Sequence, residues 1–526
     1  MDIKTIKKME KVTTKSQAGY TRLALAFLFI AIVYIWSSFT HGDVPNNTFL
    51  IIGAVFGAYM AMNIGANDVA NNVGPAVGSK ALTMFWAIVI AAVFEASGAL
   101  IAGGDVVKTI KKGIIDPAMI HDPQIFIWAM TAALLSAAVW LNIATSLGAP
   151  VSTTHSIVGG VMGAGIAAAG FSIVSWGTMG KIAASWIISP VLGGIIAAAF
   201  LYFIKRSIFF KEDMIENAKK IVPLLIAIMT WAFSTYIIVK GIKKLVKIDF
   251  PMALTIGLII AVAIYFIVKP LIAKASDSLQ NNRESVNNLF TIPLIFSAAL
   301  LSFAHGANDV ANAIGPLAAI NDAIMSNGIN SKVGIPFWVM AVGAIGIAVG
   351  LALYGPKLIK TVGSEITELD QTRAFAIALA ASITVIIASQ LGLPVSSTHI
   401  AIGGVFGVGF LREYLYNSEA NLLKETKEKF ESDKKELEIL QKEFKQLDDN
   451  KNKTQEEYER IVELYKLIGN KKDLVKEEKK DFKSIAKVKY VKREAVNKIV
   501  ASWIITVPAA AAMSASVFFM IRGIML

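Results

Sequence analysis

The chain has 526 residues, 55% of them apolar and 17% charged, with a mean hydropathy of +0.58, 39 glycines, 17 methionines and no cysteine. A soluble chain of this length carries more charge, so the composition points to a bilayer as solvent. Without cysteine there is no disulfide, thiolate nucleophile or Cys-ligated metal cluster, and the five histidines are too scattered for a His metal site.

The net charge of +12 invites a nucleic-acid partner, but the basic residues sit in short loops between apolar spans and in a balanced Lys/Glu block. A positive-inside bias explains them, and no nucleic-acid partner is expected. Half of the residues from Arg412 to Arg493 are charged, against about 11% of the rest.

In chain order, Lys4, Lys7, Lys8, Lys11 and Lys15 precede the apolar run Leu23–Phe39. That run lacks a small-residue cleavage pattern, so it reads as a retained helix with a cytoplasmic N-terminus and not as a signal peptide. Twelve further apolar spans follow at about 48–80, 83–103, 124–147, 150–170, 182–204, 221–240, 252–273, 291–320, 335–356, 372–391, 397–411 and 498–521. The spans 150–170 and 397–411 either cross or re-enter. Counting crossings puts Lys205, Arg206, Lys211, Lys357, Lys360 and the charged block on the cytoplasmic side. Lys240, Lys243, Lys244 and Lys247 fall outside, against the rule.

Within the charged block, Leu423, Phe430, Leu437 and Phe444 recur every seven residues, with Leu440 and Leu447 completing an a/d seam. Residues 448–453 interrupt it, and Tyr458, Ile461 and Tyr465 resume an apolar face. The pattern predicts a soluble antiparallel helical hairpin.

Three segments occur twice. Gly65-Ala66-Asn67-Asp68-Val69-Ala70-Asn71 returns at Gly306–Asn312, an offset of 241. Pro150-Val151-Ser152-Thr153-Thr154-His155 returns as Pro394-Val395-Ser396-Ser397-Thr398-His399, an offset of 244, and Lys181–Ile188 returns at Lys498–Ile505, an offset of 317. The jump between the last two offsets matches the charged block, which is thus an insertion in the second copy. Seven crossings separate the two starts, an odd number, so the copies are expected to be inverted. Inverted repeats with a site near mid-membrane mark secondary transporters.

The motifs place Gly, Asn, Asp and Pro inside apolar spans, which predicts broken helices whose freed backbone groups line a protein-walled cavity. Half-helix N-termini and the Ser/Thr triplets suit an oxyanion, while carbonyls and carboxylates suit a small cation. Asp68 and Asp309 would repel an anion unless cations bind alongside or a protonated anion donates its own O–H. No Arg or Lys lies in the paired motifs, so neutralisation is expected from a co-bound alkali cation. Hydrogen phosphate has a proton to give these carboxylates and sulfate does not, which predicts selectivity.

The doubled G-A-N-D-V-A-N and P-V-S-[TS]-T-H resemble the inorganic phosphate transporter (PiT) family of cation-coupled symporters, over roughly residues 48–204 and 291–521. The resemblance implies phosphate uptake driven by sodium in many members and by protons in some. It places the signature aspartates and Ser/Thr residues at the substrate site and implies a homodimer. Family members often carry an acidic residue in the helix after each signature. Glu95 fills that place in the first copy, but Ile347 stands opposite it in the second, so Glu95 is expected to act in one half only.

The reading is an all-α polytopic membrane protein with two inverted repeats, discontinuous helices and a soluble helical-hairpin insertion. Its parts are residues 1–47 (basic N-terminus and extra helix), 48–204 (first repeat), 205–290 (linker with two helices), 291–411 and 494–526 (second repeat) and 412–493 (hairpin). Phosphate-binding candidates are Asp68, Ser152, Thr153, Thr154, Asp309, Ser396, Ser397 and Thr398. Sodium ligands are Asn67, Asp68, Asn308 and Asp309, and Glu95 is the coupling candidate. Asn71 and Asn312 are expected to satisfy broken backbone, His155 and His399 to fix half-helices by hydrogen bonds, and Gly159, Gly160, Gly403 and Gly404 to pack closely.

The function expected is sodium-coupled phosphate import by alternating access across the cell's inner (plasma) membrane, with no cofactor beyond co-transported sodium. The rivals are the same fold coupled to protons or carrying another oxyanion, and an anion channel. A membrane enzyme finds no nucleophile–base pair in the sequence.

Overall fold

The computed structural model describes residues 3–44, 47–146, 151–241, 248–326, 328, 334–365, 369–417, 420–449, 454–486 and 493–526. Pro150, Lys243, Lys244, Lys247 and the predicted hairpin turn at 450–453 lie outside the described residues. The chain divides into two compact units, Met1–Val408 with Arg493–Leu526, and Gly409–Lys492.

The first unit is helical throughout its described secondary structure apart from one isolated bridge, Ile115 to Val174. It opens with α1 (Ile3–Thr40), α2 (Asn47–Asn67), α3 (Val69–Gly78), α4 (Met84–Ala102) and the short α5 (Gly104–Lys112). Then come α6 (Pro123–Ser146), α7 (Thr153–Ala169) and α8 (Trp176–Ile204). The linker holds α9 (Met214–Lys240), α10 (Phe250–Ser276) and α11 (Arg283–Leu289). The second copy follows as α12 (Thr291–Met325), α13 (Phe337–Glu365), α14 (Gln371–Gln390), α15 (Ser397–Asn417) and, beyond the insertion, α18 (Arg493–Met525).

Eleven helices among the described residues are long and apolar enough to cross a membrane, two fewer than the thirteen spans of the sequence. The missing two are α7 and α15. Gly160 sits against Ala133 and Gly404 against Ile377, so α6–α7 and α14–α15 are antiparallel hairpins with the Ser/Thr motif at each tip. Ser152 and Ser396 cap the returning helices, their Oγ atoms accepting the backbone N–H of His155 at 3.2 Å and of His399 at 3.3 Å.

The Gly-Ala-Asn-Asp motifs behave differently from the expected breaks. In the first copy α2 and α3 are separated only by Asp68, which keeps helical angles and donates its N–H to Ile64 at 2.9 Å. In the second copy α12 runs unbroken through Gly306–Asn312. The glycines serve packing: a Cβ at Gly65 would overlap the Ile347 carbonyl, and one at Gly306 the Glu95 carbonyl. Helix α2 thus crosses α13, and α12 crosses α4, at backbone contact.

The same reciprocity holds in the other motifs. Gly159 and Gly163 of α7 press on Val507 and Ala511 of α18, while Gly403 and Gly407 of α15 press on Pro190 and Gly194 of α8. Every such crossing joins a helix of one copy to a helix of the other.

The second unit is an antiparallel pair, α16 (Ala420–Asp448) and α17 (Gln455–Ala486). Arg460 bonds Glu443 at 2.9 Å, and Lys471 bonds Glu436 at 2.6 Å and reaches Asp433 at 3.1 Å. These carboxylates hold the Lys471 ammonium above its usual value. Leu437 and Leu464 are buried, but Tyr458 and Tyr465 are exposed, against the predicted face. The second arm uses Ile461, Leu464 and Ile468 instead, a neighbouring register with the same three-and-four spacing as the predicted Tyr458, Ile461 and Tyr465.

Candidate substrate and cation site

The two hairpin tips meet. Thr154 Oγ1 donates to the Val395 carbonyl at 3.0 Å, Trp186 Nε1 donates to the Pro394 carbonyl at 3.1 Å, and the His155 and His399 rings stand edge to face 4.9 Å apart. The His155 ring stacks on Trp186 at 3.9 Å, and neither of its nitrogens has a hydrogen-bond partner. Its role is packing at the tip junction, where the sequence reading expected a hydrogen-bonded anchor.

Against these tips lie the signature residues of α2, α3 and α12. Asp68 accepts from Thr153 Oγ1 at 2.7 Å, from Thr398 Oγ1 at 3.1 Å and from Asn67 Nδ2 at 3.0 Å. Asp309 accepts from Ser397 Oγ at 3.1 Å. Hydroxyls from both copies thus converge on Asp68. Asn71 Nδ2 donates to Thr398 Oγ1 at 2.9 Å, and Asn312 Nδ2 donates to Thr153 and Thr154 at 3.2 and 3.1 Å. Both asparagines tie signature helices to hairpin tips; Asn71 Nδ2 also donates to the Asp68 carbonyl at the α2–α3 junction at 3.1 Å, as expected of it, whereas Asn312 bonds side chains only. All eight phosphate candidates are buried in one cluster.

Several acceptors in the cluster have no donor. Asn308 Oδ1, Asp309 Oδ1 and Asn312 Oδ1 are buried without a hydrogen-bond partner. Desolvated oxygens left this way are costly unless something positive meets them. Oxygen donors of this kind suit a hard cation. One ligand atom each from Asp68, His305 and Asp309 also fall within 4.8 Å of one another, a set able to hold a metal ion.

His305 is the residue that sequence reasoning missed. Its Nδ1 lies 2.6 Å from Glu95 Oε2 and its Nε2 lies 2.7 Å from Asp309 Oδ2, and all three side chains are buried. Asn72 Nδ2 donates to the other oxygen of Glu95 at 2.7 Å. With the proton on Nδ1 the imidazole donates to Glu95, while Nε2 stands at ion-pair distance from Asp309 without hydrogen-bond geometry. His305 is thus an ionisable partner of both carboxylates within the chain, one that the paired motifs do not contain. A signal was present: Asn72, Glu95 and His305 face Ala313, Ile347 and Ile64 in the other copy. Three polar residues without repeat partners meet at one crossing, and three apolar ones stand at its counterpart.

Access is unequal. Asn67 is half-buried, and beyond it Asn63 and the exposed Asn142 form a polar file, with Asn142 Nδ2 3.4 Å from Asn63 Oδ1. Asn308 is fully buried, donating to Ser389 Oγ at 3.0 Å and to the Leu393 carbonyl at 3.3 Å. Behind it Lys240 Nζ contacts Asp105 at 2.5 Å and the Ser389 carbonyl at 3.3 Å. A further buried ion pair joins Lys111 of α5 to Asp322 of α12.

Comparison with known proteins identifies relatives of the chain. The chain is 50% identical over 532 residues to a Helicobacter pylori J99 protein that carries the name phosphate permease, covering 98% of each chain. It is 40% identical over 365 residues to a Pyrococcus abyssi protein of the same name, covering 69% of this chain and 89% of that one. The solved structure of a sodium-dependent phosphate transporter superposes with a TM-score of 0.71 at 32% identity, covering 90% of this chain and 99% of that one. The family model described as the phosphate transporter family matches residues 64–514, and with the membrane helices and the paired motifs in place, the chain belongs to that family of transporters and not to an enzyme class.

Proposed function

We propose that this protein imports inorganic phosphate together with sodium by alternating access, across a plasma membrane whose cytoplasmic side carries the N-terminus and the helical hairpin. The observation that carries the reading is the buried cluster in which hydroxyl donors and unpartnered oxygen acceptors stand side by side. The hydroxyls of Thr153, Thr154, Ser397 and Thr398, with the first-turn N–H groups of α7 and α15, are donors for phosphate oxygens. Ser152 and Ser396 act by fixing those first turns. Asp68 and Asp309 accept the phosphate O–H or hold sodium, and Asn67 and Asn308 add oxygens on the cation side.

Coupling follows from electrostatics. In this arrangement the hydroxyls of Thr153, Ser397 and Thr398 are spent on the aspartates. A cation that takes over the carboxylates releases those donors to an anion, so each ion prepares the site for the other. The copies are proposed to lie inverted: with both hairpins turning back inside the bilayer, five crossings separate them, again an odd number. A homodimer belongs to the same proposal.

Uptake of labelled phosphate into reconstituted vesicles, with sodium and pH gradients set independently, tests it. A sodium gradient is expected to drive phosphate above equilibrium. Uptake that ignores sodium and follows the proton gradient would favour the proton-coupled rival, which draws on the Glu95–His305–Asp309 file. Equilibration without accumulation would mark an anion channel.

A further inference from the structure

Outside the central cluster, α9, α10 and α14 enclose a trough of about 410 Å³ with an almost wholly apolar lining that includes Ile228, Trp231, Val239, Leu254 and Ile386. The volume lies within the usual span of ligand pockets, roughly 300–1,000 Å³. Helix α10 is the most hydropathic of the spans and among the least buried, so this face looks onto lipid.

The trough adjoins a second cavity of about 560 Å³, and the two share Val239, Gln390 and Leu391. The second is polar, with Asp105, Lys108 and Lys240 in its wall. Lys240 ends α9 and Phe250 begins α10, so the polar mouth opens where these two crossing helices finish, at headgroup level, while Gln390 at the tip of the α14–α15 hairpin forms its inner wall. The wall carries two lysines against one carboxylate. Burial would raise the Asp105 carboxyl, but the Lys240 hydrogen bond and charge, with Lys108, hold it below its ordinary value. Asp105 therefore stays ionised and the mouth keeps one positive charge in excess. The Lys108 side chain is 76% exposed and 3.4 Å from Asp105, free to swing toward a second anion.

We propose that the joined cavities bind an anionic phospholipid of the surrounding bilayer, one acyl chain in the trough and the headgroup phosphate on Lys108 and Lys240. Free phosphate has no use for an apolar trough, and a neutral lipid none for the excess lysine; an anionic lipid uses both. The site gives a partner to Lys240, one of the lysines that the positive-inside count left on the wrong face. It also abuts the transport site, because Lys240 holds Ser389, whose hydroxyl accepts from Asn308.

The test is native mass spectrometry of the full-length protein, solubilised in detergent and offered phosphatidylglycerol and phosphatidylcholine of equal chain length. Phosphatidylglycerol is expected to be retained at least fivefold over phosphatidylcholine. Lys108→Glu should bring the two to parity, and Ile386→Trp, which fills the trough, should lower retention of both severalfold. Equal retention by the unaltered protein, a preference that survives Lys108→Glu, retention indifferent to Ile386→Trp, or displacement of phosphatidylglycerol by millimolar inorganic phosphate would each overturn the proposal. The measurement uses neither sodium nor transport, so its failure is distinct from failure of the symport reading.

Discussion

Asp68 and Asp309 occupy matching places in the two signatures, yet their surroundings differ: three donors surround Asp68, while Asp309 faces His305 and keeps one oxygen without a hydrogen-bond partner. Asp68→Asn and Asp309→Asn are each expected to cut phosphate uptake at least tenfold and to narrow the preference over sulfate, because an amide is a poor acceptor for a phosphate O–H. Unchanged uptake in both variants would remove these residues from the site. His305→Ala leaves Glu95 and Asp309 buried without their bridge. Breaking a buried pair costs about 3–5 kcal/mol, so both uptake and thermal stability should fall, and a variant with native melting would show the bridge to be dispensable. The aspartates and the Ser/Thr triplets were legible because they are doubled. His305 was not, because the repeat that exposes the paired residues hides the unpaired ones, and only spatial proximity to Glu95 shows what it does.

At the level of elements, each glycine-to-backbone crossing replaces side-chain contact with direct helix contact. Adding a methyl group to so tight a crossing forces the helices apart at a cost of about 1–3 kcal/mol or more. Gly65→Ala and Gly306→Ala should therefore lower the melting temperature of the purified protein, whereas Gly177→Ala, with nothing within 4 Å of the new atom, should not. Equal melting of all three would refute the packing account. The number and positions of the helices could be read from hydropathy, as could the capped starts at Ser152 and Ser396. The expected signature breaks could not, because glycine inside an apolar helix fits both a kink and a close crossing, and the identity of the crossing partner decides. Hydropathy left crossing and re-entry both open for the hairpins, because a 17-residue α7 has nearly the length of a crossing helix, and its return against α6 decides for the turn.

At the scale of the whole molecule, the second unit packs its own seam between α16 and α17, and the ion pairs of Arg460 and Lys471 lie within it. Replacing residues 418–492 by a short Gly-Ser linker is expected to leave sodium-driven phosphate uptake within about twofold of the full chain, a window set by ordinary loop-closure costs. Abolished uptake from a correctly folded, membrane-inserted variant would assign the unit a part in transport. The insertion itself was plain in the sequence, as a local excess of charge and a jump in the repeat offset.

The exchanged crossings bear on motion. Helices α2 and α4 of the first copy are locked onto α13 and α12 of the second, and α7 and α8 of the first onto α18 and α15 of the second. Neither half of the gene product can therefore swing as a rigid lever against the other, since each is stapled to its sibling at four places. What is left to slide are two composite blocks, each of mixed parentage, one bearing the carboxylates and the other the hydroxyls. On the proposed function the cargo would be gripped across their boundary, and a cut in the polypeptide between the two copies would sever neither block.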